Sequence, residues 1–174
     1  YPGQDVEGLL PLKTGAHEPV YKAGQEPDDA ERDHRRDTYH LPYHIKLRDA
    51  LDAIKAEHGY ALLWDAHSIK SELPRYFDGK LWDLNIGTNS GKSCAAPLEA
   101  SLLEVAEEAK GYTYIMNGRF VGGHITRYYG DPANNVHAVQ LELSWAAYMD
   151  ETYPYGYRDD LAAGIQPVLQ RFMQ

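Results

Sequence analysis

The sequence predicts an α/β fold with a mostly parallel, covered sheet. Three observations carry that prediction. Helix-like and strand-like patterns follow one another as helix, strand, strand, helix, strand, strand, helix. The run Ala61-Leu62-Leu63-Trp64 is apolar and passes straight into Asp65-Ala66-His67-Ser68, as a buried strand with a polar end would. Residues His137–Leu143 alternate, with His137, Val139, Leu141 and Leu143 on one side and Ala138, Gln140 and Glu142 on the other.

The chain has 174 residues, which predicts one domain over 1–174. Its net charge is −9, and acids interrupt its strongest basic spot, Arg32-Asp33-His34-Arg35-Arg36. That balance argues against nucleic acid or an anionic membrane as partner. No stretch is long and apolar enough to span a bilayer. A single cysteine, Cys94, forms no internal disulfide, so nothing demands an oxidising compartment and the expected location is cytoplasmic. An inert buried thiol is the better reading of Cys94 than a nucleophile. The opening Tyr1-Pro2-Gly3 has no starting methionine and reads as a piece of something longer.

Residues 1–27 are rich in glycine and proline and predict a surface loop, with one short strand at most near Val20-Tyr21. A helix is expected from Pro27-Asp28-Asp29 to Gly59, capped by Asp28 or Asp29, with Tyr39, Tyr43, Leu47, Leu51 and Ile54 at helical spacing. Pro42 conflicts with it and should kink or split the helix. The strand Tyr60–Asp65 follows, then a polar connection, then a strand at Leu81–Gly87. Pro97 suits the first turn of the next helix, whose inner stripe is Leu98, Leu102, Val105 and Ala106. Tyr112–Met116 is β-branched and aromatic and predicts a third strand. A glycine-rich loop occupies Asn117–His124, Thr126–Gly130 is irregular or a short strand, and a last helix covers roughly Arg158–Phe172.

Three places could carry chemistry. His67 stands at a strand end with Asp65 two residues before it. By spacing alone a satisfied polar residue outweighs a metal ligand, since no paired histidine or cysteine motif lies nearby. As a ligand, its ring would be oriented by Asp65 or a main-chain carbonyl. Glu142 is a carboxylate on an interior strand, which is costly without a partner. Either it forms a structural ion pair, with Arg119 or Arg127, or it is a general base. The loop 117–130 puts Arg119 and Arg127 on either side of Gly122-Gly123, where arginine forks can meet carboxylates. A glycine hairpin with two solvated arginines is the alternative. Gly91-Lys92-Ser93 lacks the glycine a phosphate loop needs five residues earlier, where Ile86 stands, and is rejected.

Read together, these pieces resemble the N-formylglutamate amidohydrolase (N-formylglutamate deformylase) family. The resemblance rests on Tyr1-Pro2-Gly3-Gln4, Glu18-Pro19-Val20-Tyr21, Gly24-Gln25-Glu26-Pro27, Trp64–Ile69 and Asp83–Thr88. It continues through Asn117–Phe120, Gly122-Gly123, Thr126–Gly130 and Val139–Leu143 to Tyr148-Met149-Asp150, in unbroken order. It implies a zinc-carboxypeptidase-like three-layer α/β/α sandwich with a mixed, mostly parallel sheet. It implies hydrolysis of N-formyl-L-glutamate to formate and L-glutamate, in histidine degradation. By that likeness His67 is a ligand of zinc or another divalent metal, with Asp65 and Ser68 behind it. Glu142 stands where the family has its catalytic carboxylate, and Asn117, Arg119 and Arg127 bind substrate. The family's front segment, with its other metal ligands, would precede Tyr1. The expectation is therefore that this stretch alone neither holds zinc tightly nor turns over substrate, and that its sheet has an open edge. Two alternatives stay in view: a hydrolase of another N-acyl amino acid, and a noncatalytic binding module.

Overall fold

A computed structural model describes residues 9–14, 18–74 and 76–174. The Tyr1-Pro2-Gly3-Gln4 motif lies outside the described residues. The chain divides into two compact units, Tyr1–Ala50 and Leu51–Gln174.

In the first unit the expected strand near Val20 is only an isolated antiparallel bridge between Lys13 and Pro19. Helix α1 (Asp29–Arg35) starts as its acids predict, with the Asp28 carboxylate accepting a hydrogen bond from the Glu31 N–H at 2.8 Å. A π-helical turn, Arg36–His40, precedes α2 (Leu41–His58). This is how the helical run passes Pro42. Proline has no N–H to give and its ring crowds the carbonyl four residues back, and one widened turn relieves both faults. The expected apolar stripe is only partly an inner one: Leu51 is buried, while Tyr39, Tyr43 and Ile54 are exposed.

The second unit is built on a four-stranded sheet: β1 (Ala61–Ile69), β2 (Leu84–Gly87), β3 (Tyr114–Met116) and β4 (Val136–Ser144), in the order β1-β4-β2-β3. The pairs β1/β4 and β2/β3 are parallel and β2/β4 is antiparallel, so the sheet is mixed and mostly parallel, as predicted. Helices α3 (Ala96–Glu108) and α5 (Asp159–Phe172) cover one face. There Leu102, Ala106, Ile165 and Phe172 join Leu84, Ile86, Val139, Leu141 and Leu143 in the core, and Trp64 stacks on Phe172 at 5.6 Å. Cys94 is buried in the same core. No helix among the described residues is long and apolar enough to cross a membrane.

Two expectations are corrected. The first strand does not stop at Asp65; it runs to Ile69, because β4 pairs beside it from Ala61↔Val136 to Ile69↔Ser144. His67 and Ser68 therefore lie within the strand, near its carboxyl end. Residues Thr126–Gly130 are neither irregular nor a strand, for helix α4 covers His124–Tyr129. Both neighbours of β4 are already strands, so no pairing edge remains for it there. One helical turn buries Thr126 and Tyr129 together instead.

Candidate active site

Alternation and register together assemble the site. Side chains of paired residues point to the same face of a sheet. His67 on β1 pairs with Glu142 on β4, and Glu142 pairs with Asn85 on β2. One step along, Asp65 pairs with Gln140, and Gln140 with Gly87. A two-row polar patch thus occupies the face opposite the α3–α5 core. It holds one imidazole, two carboxylates and two amides.

Within this patch His67 and Asp65 form a pair. The two are on the same side of β1, and His67 Nε2 lies 2.9 Å from Asp65 Oδ1. A carboxylate can only accept, so the ring proton belongs on Nε2, and Nδ1 is the nitrogen that could bind an ion. The Asp65 hydrogen bond holds the His67 pKa above its ordinary value; burial pulls it down, and the charges of Asp65 and Glu142 push it up. Glu142 is 7 % exposed. Burial pushes its carboxyl up to about 7, with the His67 charge pulling down and the Asp65 charge pushing up. A carboxyl at that value exchanges protons readily at neutral pH, as a general base must.

The patch has a border. A Cβ built on Gly87 would meet Gly122 N and Val121 C at 2.7 Å, so only glycine lets the 120–122 loop cross this close to the sheet. Asn89 N donates to Val121 O at 2.7 Å, and Gly123 N donates to Gln140 Oε1 at 2.6 Å, pinning the loop at both ends. Helix α4 follows and packs on β4 and β1.

The remaining candidates lie on other elements or on the reverse of β1. Arg127 sits on α4, its Nε donating to Gly123 O at 3.1 Å. Arg119 Nε donates to Tyr76 O at 2.7 Å, and its guanidinium lies 5.7 Å from the Phe120 ring centroid. Asn117 is committed to the chain itself. Its Oδ1 accepts from Thr88 N at 2.9 Å and Ser90 N at 3.2 Å, and its Nδ2 donates to Thr88 Oγ1 at 2.7 Å. Ser68 points to the other side of β1, where its hydroxyl meets Tyr148 OH at 2.9 Å. Both line a cavity of about 340 Å³ against α5. The structure therefore brings Asp65, His67 and Glu142 together on one face, sets Arg127 on the helix packed above it, and puts Ser68 on the reverse.

Two residues of the patch escaped sequence reasoning. Gln140 carried a signal, since it shares the polar side of β4 with Glu142. Asn85 carried none. Its Nδ2 donates to the carbonyls of Trp82 at 2.8 Å and Glu142 at 3.0 Å, tying β2 to the catalytic candidate's own backbone. Its buried Oδ1 has no hydrogen-bond partner among the described residues.

A zinc site needs about three protein ligands. Among the described residues no group of three or more His, Cys, Asp or Glu could hold a metal ion. His67 with its oriented ring is suited to be one ligand, but the described residues do not by themselves fit a zinc ion.

Known proteins match this chain closely. It is 51% identical over 167 residues to the N-formylglutamate deformylase of Pseudomonas putida and 48% identical over 167 residues to that of Pseudomonas aeruginosa. These matches cover 96% of this chain but only 62% and 63% of those proteins. The fold matches the crystal structure of N-formylglutamate amidohydrolase from Ralstonia eutropha JMP134 with a TM-score of 0.80, at 24% identity, over 95% of this chain and 60% of that one. The family model for N-formylglutamate amidohydrolase fits residues 1–149, which takes in every element of the polar patch, and the chain belongs to that family.

Proposed function

We propose that this chain forms part of an enzyme that hydrolyses N-formyl-L-glutamate to formate and L-glutamate. The observation that carries the reading is the cross-strand placement of Glu142 beside His67, with burial holding the Glu142 carboxyl near neutrality. Half-identical relatives named N-formylglutamate deformylase support the substrate.

In this reading a water attacks the formyl carbon while Glu142 takes its proton. The C–N bond then breaks, and Glu142 passes that proton to the leaving nitrogen. Formic acid gives its own proton to the amine, so the products are formate and glutamate as its ammonium form. Arg127, from the helix that starts beside Gln140, and Arg119 grip the substrate's carboxylates. Asn117 contributes by holding the 88–90 turn in place. We assign zinc as the cofactor, with His67 as one ligand, oriented by Asp65, and the others supplied from outside the described residues. We place the reaction in histidine degradation, in the cytoplasm, with a small molecule as the partner.

The test is formate release and zinc content in the full-length protein. N-Formylglutamate should be turned over well ahead of N-acetylaspartate and N-formylaspartate. His67→Ala should lose both zinc and formate release. A variant that keeps both near the unsubstituted level removes His67 from the metal.

A further inference from the structure

Gln140 is 6% exposed, and its side chain reaches out of the sheet to a loop rather than along it. Its Oε1 accepts the Gly123 N–H at 2.6 Å. Gly123 is extended, at φ −80° and ψ −160°, and stands just before the first turn of α4. The other side of the same residue faces Arg127: Gly123 O accepts from Arg127 N at 3.2 Å and from Arg127 Nε at 3.1 Å. One glycine thus couples a strand amide to an arginine guanidinium. A Cβ on Gly123 would lie 3.3 Å from Gln140 Oε1, so the approach is close. Gln140 is two residues from Glu142, on the same face of β4.

We propose that Gln140 is a positioning residue for the substrate's carboxylate: through the Gly123 peptide it sets Arg127 at a fixed place relative to Glu142. This rests on the reading of Arg127 as a carboxylate-binding residue. The physical case is directional. Arg127 stands on a six-residue helix, and its Nε is held by the Gly123 carbonyl. The helix start is anchored to β4 by Gln140, and β4 carries the base. Cleavage needs the scissile carbon near Glu142 while the glutamate carboxylate, a few bonds away, sits in the arginine fork, so the span between the two groups selects the substrate's length. Gln140 sets that span. Glutamine suits the task because its neutral oxygen accepts the peptide N–H without adding another carboxylate beside Asp65 and Glu142. Without the tie, the half-buried Gly123 N–H loses its acceptor and α4 can shift.

The test is steady-state kinetics on the full-length protein with N-formylglutamate and N-formylglutamine, which differ in the side-chain carboxylate. Gln140→Met keeps the length and removes the acceptor. It should raise KM for N-formylglutamate about tenfold, leave kcat within about threefold, and shrink the preference over N-formylglutamine by a similar factor. Arg127→Ala should shrink that preference at least as far, and the double variant no further, because Gln140 acts through Arg127. A merely structural role would lower the active fraction and leave KM and the preference alone. If Gln140→Met does not fold, Gln140→Asn, with the same amide one methylene short, carries the same measurement. Arg127→Ala shrinking the preference while the Gln140 variants keep it overturns this proposal alone. Arg127→Ala keeping the preference overturns the arginine reading and this proposal with it.

Discussion

Val139, Leu141 and Leu143 alternate along β4 with Ala138, Gln140 and Glu142, and the two sets meet different neighbours. The first set is buried under α3 and α5 among leucines, two isoleucines and a phenylalanine. The second set faces Asp65 and His67 across the ladder to β1, and the 120–123 loop at its border. The strand is shared, yet one face is apolar and lies in the core, and the other holds groups that are expensive to bury. Glu142 shows the expense directly, since burial is what pushes its carboxyl up to about 7. A sheet of period two can therefore separate stability from chemistry by a single residue step, provided its register does not slip.

The largest way to break this division is at Glu142. Glu142→Gln keeps shape and removes the base, so kcat should fall on the order of 10³-fold in the full-length protein, the usual scale for a lost general base. Stability should not fall with it. Above pH 7 the native carboxyl is a buried charge, and a neutral amide relieves it, so urea denaturation at pH 8 should give the variant a midpoint equal to or above the parent's. A midpoint well below the parent's would mean the polar face also carries the fold.

One residue away the expectation reverses. Leu141 is 3% exposed and packs into the core. Leu141→Ala should cost about 2–5 kcal/mol, from lost transfer energy and the cavity left behind. The protein that remains folded should keep kcat within a few-fold, which active-site titration alongside denaturation would check. If kcat fell as far as in Glu142→Gln, the two faces would not be independent.

The apolar face was the legible one. The alternation of β4 and the stripe Leu98, Leu102, Val105 and Ala106 each indicated the side that packs, and Val139, Leu141, Leu143 and the whole stripe lie in or against the core. Periodicity reports burial, so it reads packing well. The α2 stripe shows its limit, for the same spacing gave one buried residue, Leu51, and several exposed ones. The polar face was legible only as separate candidates. His67 and Glu142 were visible, but nothing local states that β1 and β4 are parallel neighbours with these two in register. Helix α4 was hidden because it is six residues long, follows two glycines and has no side-chain cap. Gln140 was visible only as a member of the polar side of β4, for its partner is a backbone N–H seventeen positions away.

The smallest test compares two acids that burial affects in the same direction on different faces. Cys94 is 2% exposed on the core side, and burial, followed by the Glu99 charge, pushes its thiol up to about 11 from an ordinary 9.0. Here the Glu99 charge pushes in the same direction as burial, whereas at Glu142 the His67 charge pulls down. The fold favours the protonated thiol, so the native state holds this proton more tightly than the unfolded chain between those two values. The contribution to stability is full below pH 9 and is lost as pH rises toward 11. Cys94→Ala should flatten that part of the stability curve, at a modest cost from the deleted sulfur. At pH 8 the thiol is neutral and covered, so iodoacetamide should label the native protein at least a hundredfold more slowly than protein in urea. Rapid native labelling would show that the core side opens without global unfolding, and the contrast between a packed face and a reactive one would then hold only on average over time.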